Sequence, residues 1–420
     1  MLLEMDKVEF EGCSYGFRPG RSAHDAIKHI HMLSLPTSRR KWVLDADIKG
    51  AFDNIDHDYL MTTLGTVPGR ELIRQWLKAG VMDRQQYQPT EQGTPQGGVI
   101  SPLLLNVALH GMEAALGIRY YTSGRAYPHQ RAVVRYADDF VVYCATREDA
   151  EHCKQILSGW LADRGLALSP EKTRIVHLNE GYDFLGFTVR LYPSPQTTRT
   201  GWKLLIKPSK QSVKRLKQRL RDIWKNNLHS PPEAITRHMN PIIRGWANYF
   251  RVSVAKRTFS HLDRWMYERA KRYTKRRHPT KTYAWCKRRY FGKLHPQRND
   301  RWVFGSLVKG NYLLKFSWTP IQYHIKVKGR ASPDDPALQT YWYMRQKKLH
   351  RELKPSQQRM AIQQKGQCPH CRTSLFNGEI LEVHHVKPRS QGGLDSYDNL
   401  RLVHLTCHHQ LTTHMRRNPV

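Results

Sequence analysis

Two periods organise the apolar positions of this chain. In the first 190 residues the apolar runs are short and strand-like. Trp42-Val-Leu-Asp-Ala-Asp-Ile48 alternates at period 2 and predicts a strand with Val43, Asp45 and Asp47 on one face. Ala132-Val-Val-Arg135 and Phe140-Val-Val-Tyr143 flank Tyr136-Ala-Asp-Asp139, so strand, tight turn and strand are expected there. Ser101 and Pro102 read as N-cap and N1 of a helix carried on through Leu103 to Met112.

Beyond Ser209 the period becomes helical. Val213, Leu216, Leu220, Ile223 and Trp224 share one face, and Lys214, Arg215, Lys217, Arg219 and Arg221 populate the rest. Ser230-Pro-Pro-Glu233 has the form of a capping box with Pro at N1, which predicts a second helix. Asn240-Pro241 predicts a restart, with Ile242, Ile243, Trp246, Tyr249 and Phe250 apolar after it. Phe259, Leu262, Trp265, Met266 and Ala270 predict a third helix. Trp246 and Tyr249 are three apart, so core packing is expected of them rather than base stacking.

Charge changes this picture. The 420 residues carry 69 Lys+Arg against 35 Asp+Glu, a formal charge of +34. Between Lys203 and Arg301 there are 28 Lys and Arg but only 5 Asp and Glu, so most of the surplus lies on the helical stretch. Such a surplus points to a polyanionic partner. Three basic amphipathic helices suit a clamp on a nucleic-acid backbone; a solvated charged bundle is the alternative. A lipid surface is disfavoured, because the chain has no lipidation motif or short basic anchor. The longest apolar stretch, Val99 to Leu109, is too short to span a bilayer. Glu4, Asp6, Lys7 and Glu9 do not fit a secretory signal, so a cytoplasmic protein is expected. Cys368, Cys371 and Cys407 cluster near the end, which suits a metal site better than a disulfide framework.

Candidate chemistry begins with Asp47 and the pair Asp138-Asp139. Strands that bring Asp47 beside Asp138 would gather carboxylates that repel one another unless Mg²⁺ neutralises them. Two such ions can activate an attacking hydroxyl and stabilise a leaving oxygen in phosphoryl transfer. On chemistry alone a polymerase or a nuclease fits, and an ordinary Asp-rich turn stands against both.

Asp47-Ile-Lys-Gly-Ala-Phe-Asp53, Gly93-Thr-Pro-Gln-Gly-Gly98, Tyr136-Ala-Asp-Asp139 and Phe184-Leu-Gly-Phe187 occur in the order seen in reverse transcriptases. With Tyr15-Gly-Phe-Arg-Pro-Gly-Arg-Ser22 and Arg244-Gly-Trp-Ala-Asn-Tyr-Phe250, the set resembles the proteins encoded by bacterial group II introns, over nearly the whole chain. The resemblance implies that Asp47 and Asp138, with Asp139 beside them and the carbonyl of Ile48, hold Mg²⁺. It implies that Phe52 is an aromatic gate favouring dNTP, a plain core aromatic being the alternative. Gln96 and Gly97 would lie under template and incoming base, and Phe184–Phe187 would grip the primer end. Lys172 would belong to the nucleotide site, though a solvated lysine fits the residues as well. The basic helices would be a thumb, or domain X, that binds intron RNA for splicing through residues such as Arg244 and Asn248. The stretch from Thr280 to about Gly329 would be a DNA-binding segment.

The family carries a further fingers subdomain before the Tyr15 motif, so the chain reads as truncated at its N-terminus. A separate polypeptide supplying those fingers is then expected, or the chain is a relic.

In the last region, Cys368-Pro-His-Cys371 is followed roughly thirty residues later by His404-Leu-Thr-Cys407, a spacing that suits structural Zn²⁺. His384, His385, Asn399 and His408 then resemble an HNH endonuclease. The resemblance implies His385 as general base, His384 and His408 on a catalytic divalent metal, and Asn399 holding the connecting loop and orienting His385. A zinc knob that only binds DNA is the alternative.

The expected architecture is α+β and multidomain. Partial fingers and palm span 1–200, an α-helical thumb 201–279, a basic DNA-binding segment with linker 280–335, and a small zinc-binding ββα-metal HNH domain 336–420. The expected function is an RNA-directed DNA polymerase, intron maturase and DNA endonuclease acting on intron RNA, target DNA and dNTP. The alternative is a remnant that only binds RNA for splicing or only nicks DNA.

Overall fold

The computed structural model describes residues 10–83, 86–88, 92–94, 98, 100–121, 127, 130–196, 198–295, 297–308, 310–350, 353–372, 375, 381–404, 407–408 and 411. Its centre is a four-stranded antiparallel sheet in the order 132–136, 139–144, 42–47, 174–177. The sheet is covered on both sides, which explains its near-continuous apolar strands. Val43, Val134, Val141 and Tyr143 join a cluster that includes Ala26, Ile27 and Ile30 of the helix Ala23–Leu33. The alternate residues Leu44, Ala46, Val133, Val142 and Cys144 join Cys153, Leu157 and Leu161 of the helix Arg147–Ala162.

A second sheet of three antiparallel strands, Tyr182–Phe184, Phe187–Pro193 and Trp202–Pro208, lies next along the chain. Its first hairpin turns at Leu185 and Gly186, with φ of 48° and 79°, the paired left-handed conformation that suits strand twist. Three helices follow, Lys210–Asn226, Pro232–Phe250 and Lys256–Arg277. One apolar cluster runs from Tyr15 through both sheets and these helices to Phe316.

Three local expectations need correction. The helix at Ser101 ends at Ala108, and Gly111, at φ 91°, separates it from the short helix Met112–Ala115. Ser101 is the first helical residue there, not the cap. The capping box at Ser230 does not form. Pro231 is the N-cap, while Ser230 Oγ donates to Asn227 and its carbonyl accepts from Tyr273 and Arg277. Nor does Asn240-Pro241 restart a helix. Ile235, Met239, Ile243, Ala247 and Phe250 are all buried across it, so packing outweighs the one ladder bond that Pro241 removes. Asn240 instead donates to the Tyr312 carbonyl and accepts from the Leu314 amide.

The last region has its own small core of Met360, Ala361, Leu402 and Val403, with Cys368 and Cys407 in it. The strands Leu381–His385 and Leu400–His404 pair antiparallel there. Among the described residues, no helix is long and apolar enough to cross a membrane.

Candidate functional site

Asp47 ends the strand Trp42–Asp47, directly across from Asp139 in the neighbouring strand. Asp138 occupies the turn before Asp139, where Ala137 takes a left-handed φ of 57°. That conformation costs free energy for a residue with a β-carbon, so the surroundings must impose it. Burial first, then a hydrogen bond with Asp47 and the charges of Asp138 and Asp47, pushes the Asp139 carboxyl up to about 7. Burial and the Asp47 charge also raise Asp138. These groups therefore crowd as the sequence requires. Lys172 Nζ reaches both Asp47 oxygens, at 2.9 and 3.0 Å, so it is paired rather than merely solvated. Ile48 is buried and bridges Leu168. A set of self-repelling carboxylates with a nearby main-chain carbonyl is hard-oxygen chemistry and fits Mg²⁺.

Phe52 is half-buried against the core and meets Phe17 edge-on at 6.3 Å. Gly93 and Thr94 are tied to this stretch through Ile55 O and Phe52 O. A β-carbon on Gly93 would lie 2.4 Å from Asp53 O, so only glycine fits. Gln96 and Gly97 lie outside the described residues.

In the C-terminal region, ligand atoms of Cys368, Cys371, His404 and Cys407 all lie within 4.8 Å of one another. His404 Nδ1 is 3.4 Å from Cys371 Sγ and 3.8 Å from Cys407 Sγ. Tetrahedral bonds to Zn of about 2.3 Å for S and about 2.0 Å for N give edges of about 3.5 Å, so the group fits such an ion. His384 and His408 face each other with ring centroids 5.4 Å apart. Burial, then the neighbouring His408 and His385, holds His384 below the usual imidazole range. His385 Nε2 lies 2.6 Å from Asp395 Oδ1, and Arg389 holds the same carboxylate. Asn399 accepts from Lys387 N and donates to the carbonyls of Lys387 and Leu394. It thus ties Lys387 to Leu394 across the loop, while the side chain bonded to His385 is Asp395.

Residues 1–189 match the reverse transcriptase (RNA-dependent DNA polymerase) family, 213–291 the group II intron maturase-specific domain, and 368–414 the HNH endonuclease family. Region by region, the chain is thus similar to these three families. Protein YkfC of Escherichia coli (strain K12) is 34% identical over 44% of this chain and 58% of its own length. Group II intron-encoded protein LtrA of Lactococcus lactis subsp. cremoris is 30% identical over 46% of this chain and 41% of its own. The chain therefore spans about half the length of these curated relatives. A telomerase structure from Candida tropicalis covers 45% of this chain and 42% of its own at 14% identity, with a TM-score of 0.36.

Within the maturase-family region, Arg244 and Asn248 are exposed on the outer side of the helix Pro232–Phe250. They do not line its neighbouring cleft of about 640 Å³, which is bordered by Gly186, Arg215, Arg219, Trp246 and Tyr249. Trp246 and Tyr249 pack on the core, as their spacing suggests. Tyr249 Oη donates to Leu185 O, and Ser209 N and Ser212 Oγ donate to Gly186 O, so the 184–187 hairpin is fixed to the basic helices. Sequence reasoning missed Asp395 and also Glu382, whose carboxylate lies 2.6 Å from His408 Nδ1. Both are acidic residues within the HNH match, and their partners emerge only when the hairpin closes.

Proposed function

We propose that this chain is a group II intron-encoded RNA-directed DNA polymerase with maturase and DNA endonuclease activities. The observation that carries the reading is Asp47 opposite Asp139, with Asp138 presented by the adjoining turn. Asp47, Asp138 and the Ile48 carbonyl would hold Mg²⁺, which supplies activation of a 3′-hydroxyl and charge neutralisation on the triphosphate. Phe52 would sit beneath the incoming sugar, and the Phe184–Phe187 hairpin would hold the primer end. Lys172, already on Asp47, would shift toward the nucleotide as metal replaces it.

The basic helices would grip intron RNA through phosphate contacts, Arg244 and Asn248 among them. In the C-terminal domain, His385 would act as the general base that takes the proton from water, with its ring held by Asp395. His384 and His408 would hold the nuclease metal, His408 being oriented by Glu382. Cys368, Cys371, His404 and Cys407 would hold a structural Zn²⁺. Substrates would be intron RNA, target DNA and dNTP.

Primer extension by the full chain on an RNA template tests the reading. DNA synthesis that disappears in Asp138→Ala supports it. No synthesis from the intact chain, with RNA binding retained, would leave an RNA-binding splicing factor instead.

A further inference from the structure

A cleft of about 290 Å³ opens beside the helix Lys256–Arg277. Asp263, Arg264, Tyr267, Trp302 and Lys315 line it. Trp302 is 46% exposed although Val303 and Phe304 right after it are buried, so this indole is withheld from the core. Tyr267 meets it edge-on at 5.7 Å, and Lys287 Nζ stands 3.9 Å from its ring centroid. The walls are pre-set. Asp300 accepts from Trp302 N at 2.9 Å and pairs with Lys315 Nζ at 2.5 Å. Asp263 accepts the amides of Phe316 and Ser317.

We propose that this cavity takes one unstacked base of a single-stranded nucleic acid, stacked on Trp302, with Arg264 and Lys315 on the flanking phosphates. The inference rests on the reading of this chain as a nucleic-acid enzyme and adds a base-holding site to it. An aromatic wall with a cationic rim is the chemistry of single-strand recognition, because each base has a π-face and each linkage a charge. The size is at the small end for ligand sites, which suits a single base. Arg264 lies within the basic Lys203–Arg301 stretch, where a polyanion is concentrated by charge, and Lys315 lies fourteen residues beyond it.

Binding of short labelled single-stranded RNA and DNA to the full chain tests this. Trp302→Ala should weaken binding by at least about fivefold, the low end for loss of one stacked base, and Trp302→Phe should retain most affinity. On an abasic strand the wild type and Trp302→Ala should bind alike. Arg264→Gln should weaken base-bearing and abasic strands together and flatten the salt dependence. A loss confined to RNA or to DNA assigns the strand. Equal affinity of Trp302→Ala and wild type for both base-bearing strands overturns the pocket, as does an equal loss on the abasic strand. Where Trp302→Ala does not melt cooperatively, Trp302→Leu keeps the bulk without the π-face and carries the same comparison. Asp138-dependent extension without any Trp302 effect overturns the pocket alone. A Trp302 effect without extension overturns the polymerase reading alone.

Discussion

A β-carbon placed on Gly16 would lie 2.4 Å from the backbone nitrogen of Ala137. The Tyr15–Ser22 loop and the turn bearing Asp138 therefore touch main chain to main chain. Tyr15 N donates to Arg135 O, Arg135 N donates to Cys13 O, and Asn106 ties Gly16 O to the buried Arg135 guanidinium. This brace is what holds Ala137 in its left-handed conformation. Gly16→Ala should move the turn and cut primer extension at least about tenfold, while RNA binding by the basic helices stays near wild type. Unchanged extension by a normally folded Gly16→Ala chain would show that the contact does not position Asp138.

Lys172 is the counter-ion of Asp47, whose side chain is only 13% exposed. Lys172→Met leaves that carboxylate facing Asp138 and Asp139 without compensation. The variant should melt lower than wild type in EDTA, and Mg²⁺ should raise its melting temperature more than it raises the wild type's, because ligand binding to the folded state stabilises it. Identical Mg²⁺-dependent shifts in the two proteins would mean that ion and ammonium do not compete for Asp47.

Nicking and copying should separate. His385→Ala should lower metal-dependent nicking of duplex DNA by about 10²–10⁴-fold, the usual contribution of a positioned base. Asp395→Asn should give a smaller loss, since it keeps a partner for the ring but not the charge. Extension on an RNA template should be unchanged in both. Equal nicking by wild type and His385→Ala would reduce the C-terminal domain to a binding module.

The sequence made the strands and helices legible where burial is one-sided or two-sided in a regular way. Asp47, Asp138 and Asp139 could be found because apolar runs frame them and short motifs mark them. Cys368, Cys371, His404 and Cys407 could be found because ligand spacing is a local property. Pairings across the fold left no such trace. Nothing in the chain near Lys172 points to Asp47, and Gly16 carries no sign of Ala137. Asp395 and Glu382 look like ordinary surface acids until the hairpin sets them on His385 and His408. The Ser230 capping box failed because the turn preferred to satisfy Tyr273 and Arg277, a tertiary preference that a four-residue pattern does not contain.

Cys368 and Cys407 are both ligand candidates and core residues of the last region. Metal held there should therefore fold that core. Purified protein should contain one Zn per chain by elemental analysis, and Cys371→Ser should lose both the zinc and nicking while keeping extension. Full zinc content in Cys371→Ser would remove that residue from the ligand set.

His29 supplies a pH dependence remote from either metal site. Its Nδ1 pairs with Tyr15 Oη at 3.0 Å, and burial, then Lys326, Arg21 and Arg40, holds the imidazole down at about 3. The folded value is below the unfolded one of about 6.5, so the unfolded chain binds the extra proton. Stability from this group is complete above about pH 6.5 and falls as pH drops toward the folded value, by about 2 kcal/mol at pH 5. Tyr15 stands next to Gly16, so the loss should loosen the brace behind the Asp138 turn first. His29→Gln, which cannot protonate, should show a shallower decline in urea midpoint between pH 7.5 and 5 than the wild type. Parallel declines in the two proteins would place the acid sensitivity elsewhere, with His24, also held low by burial, as the next imidazole to replace.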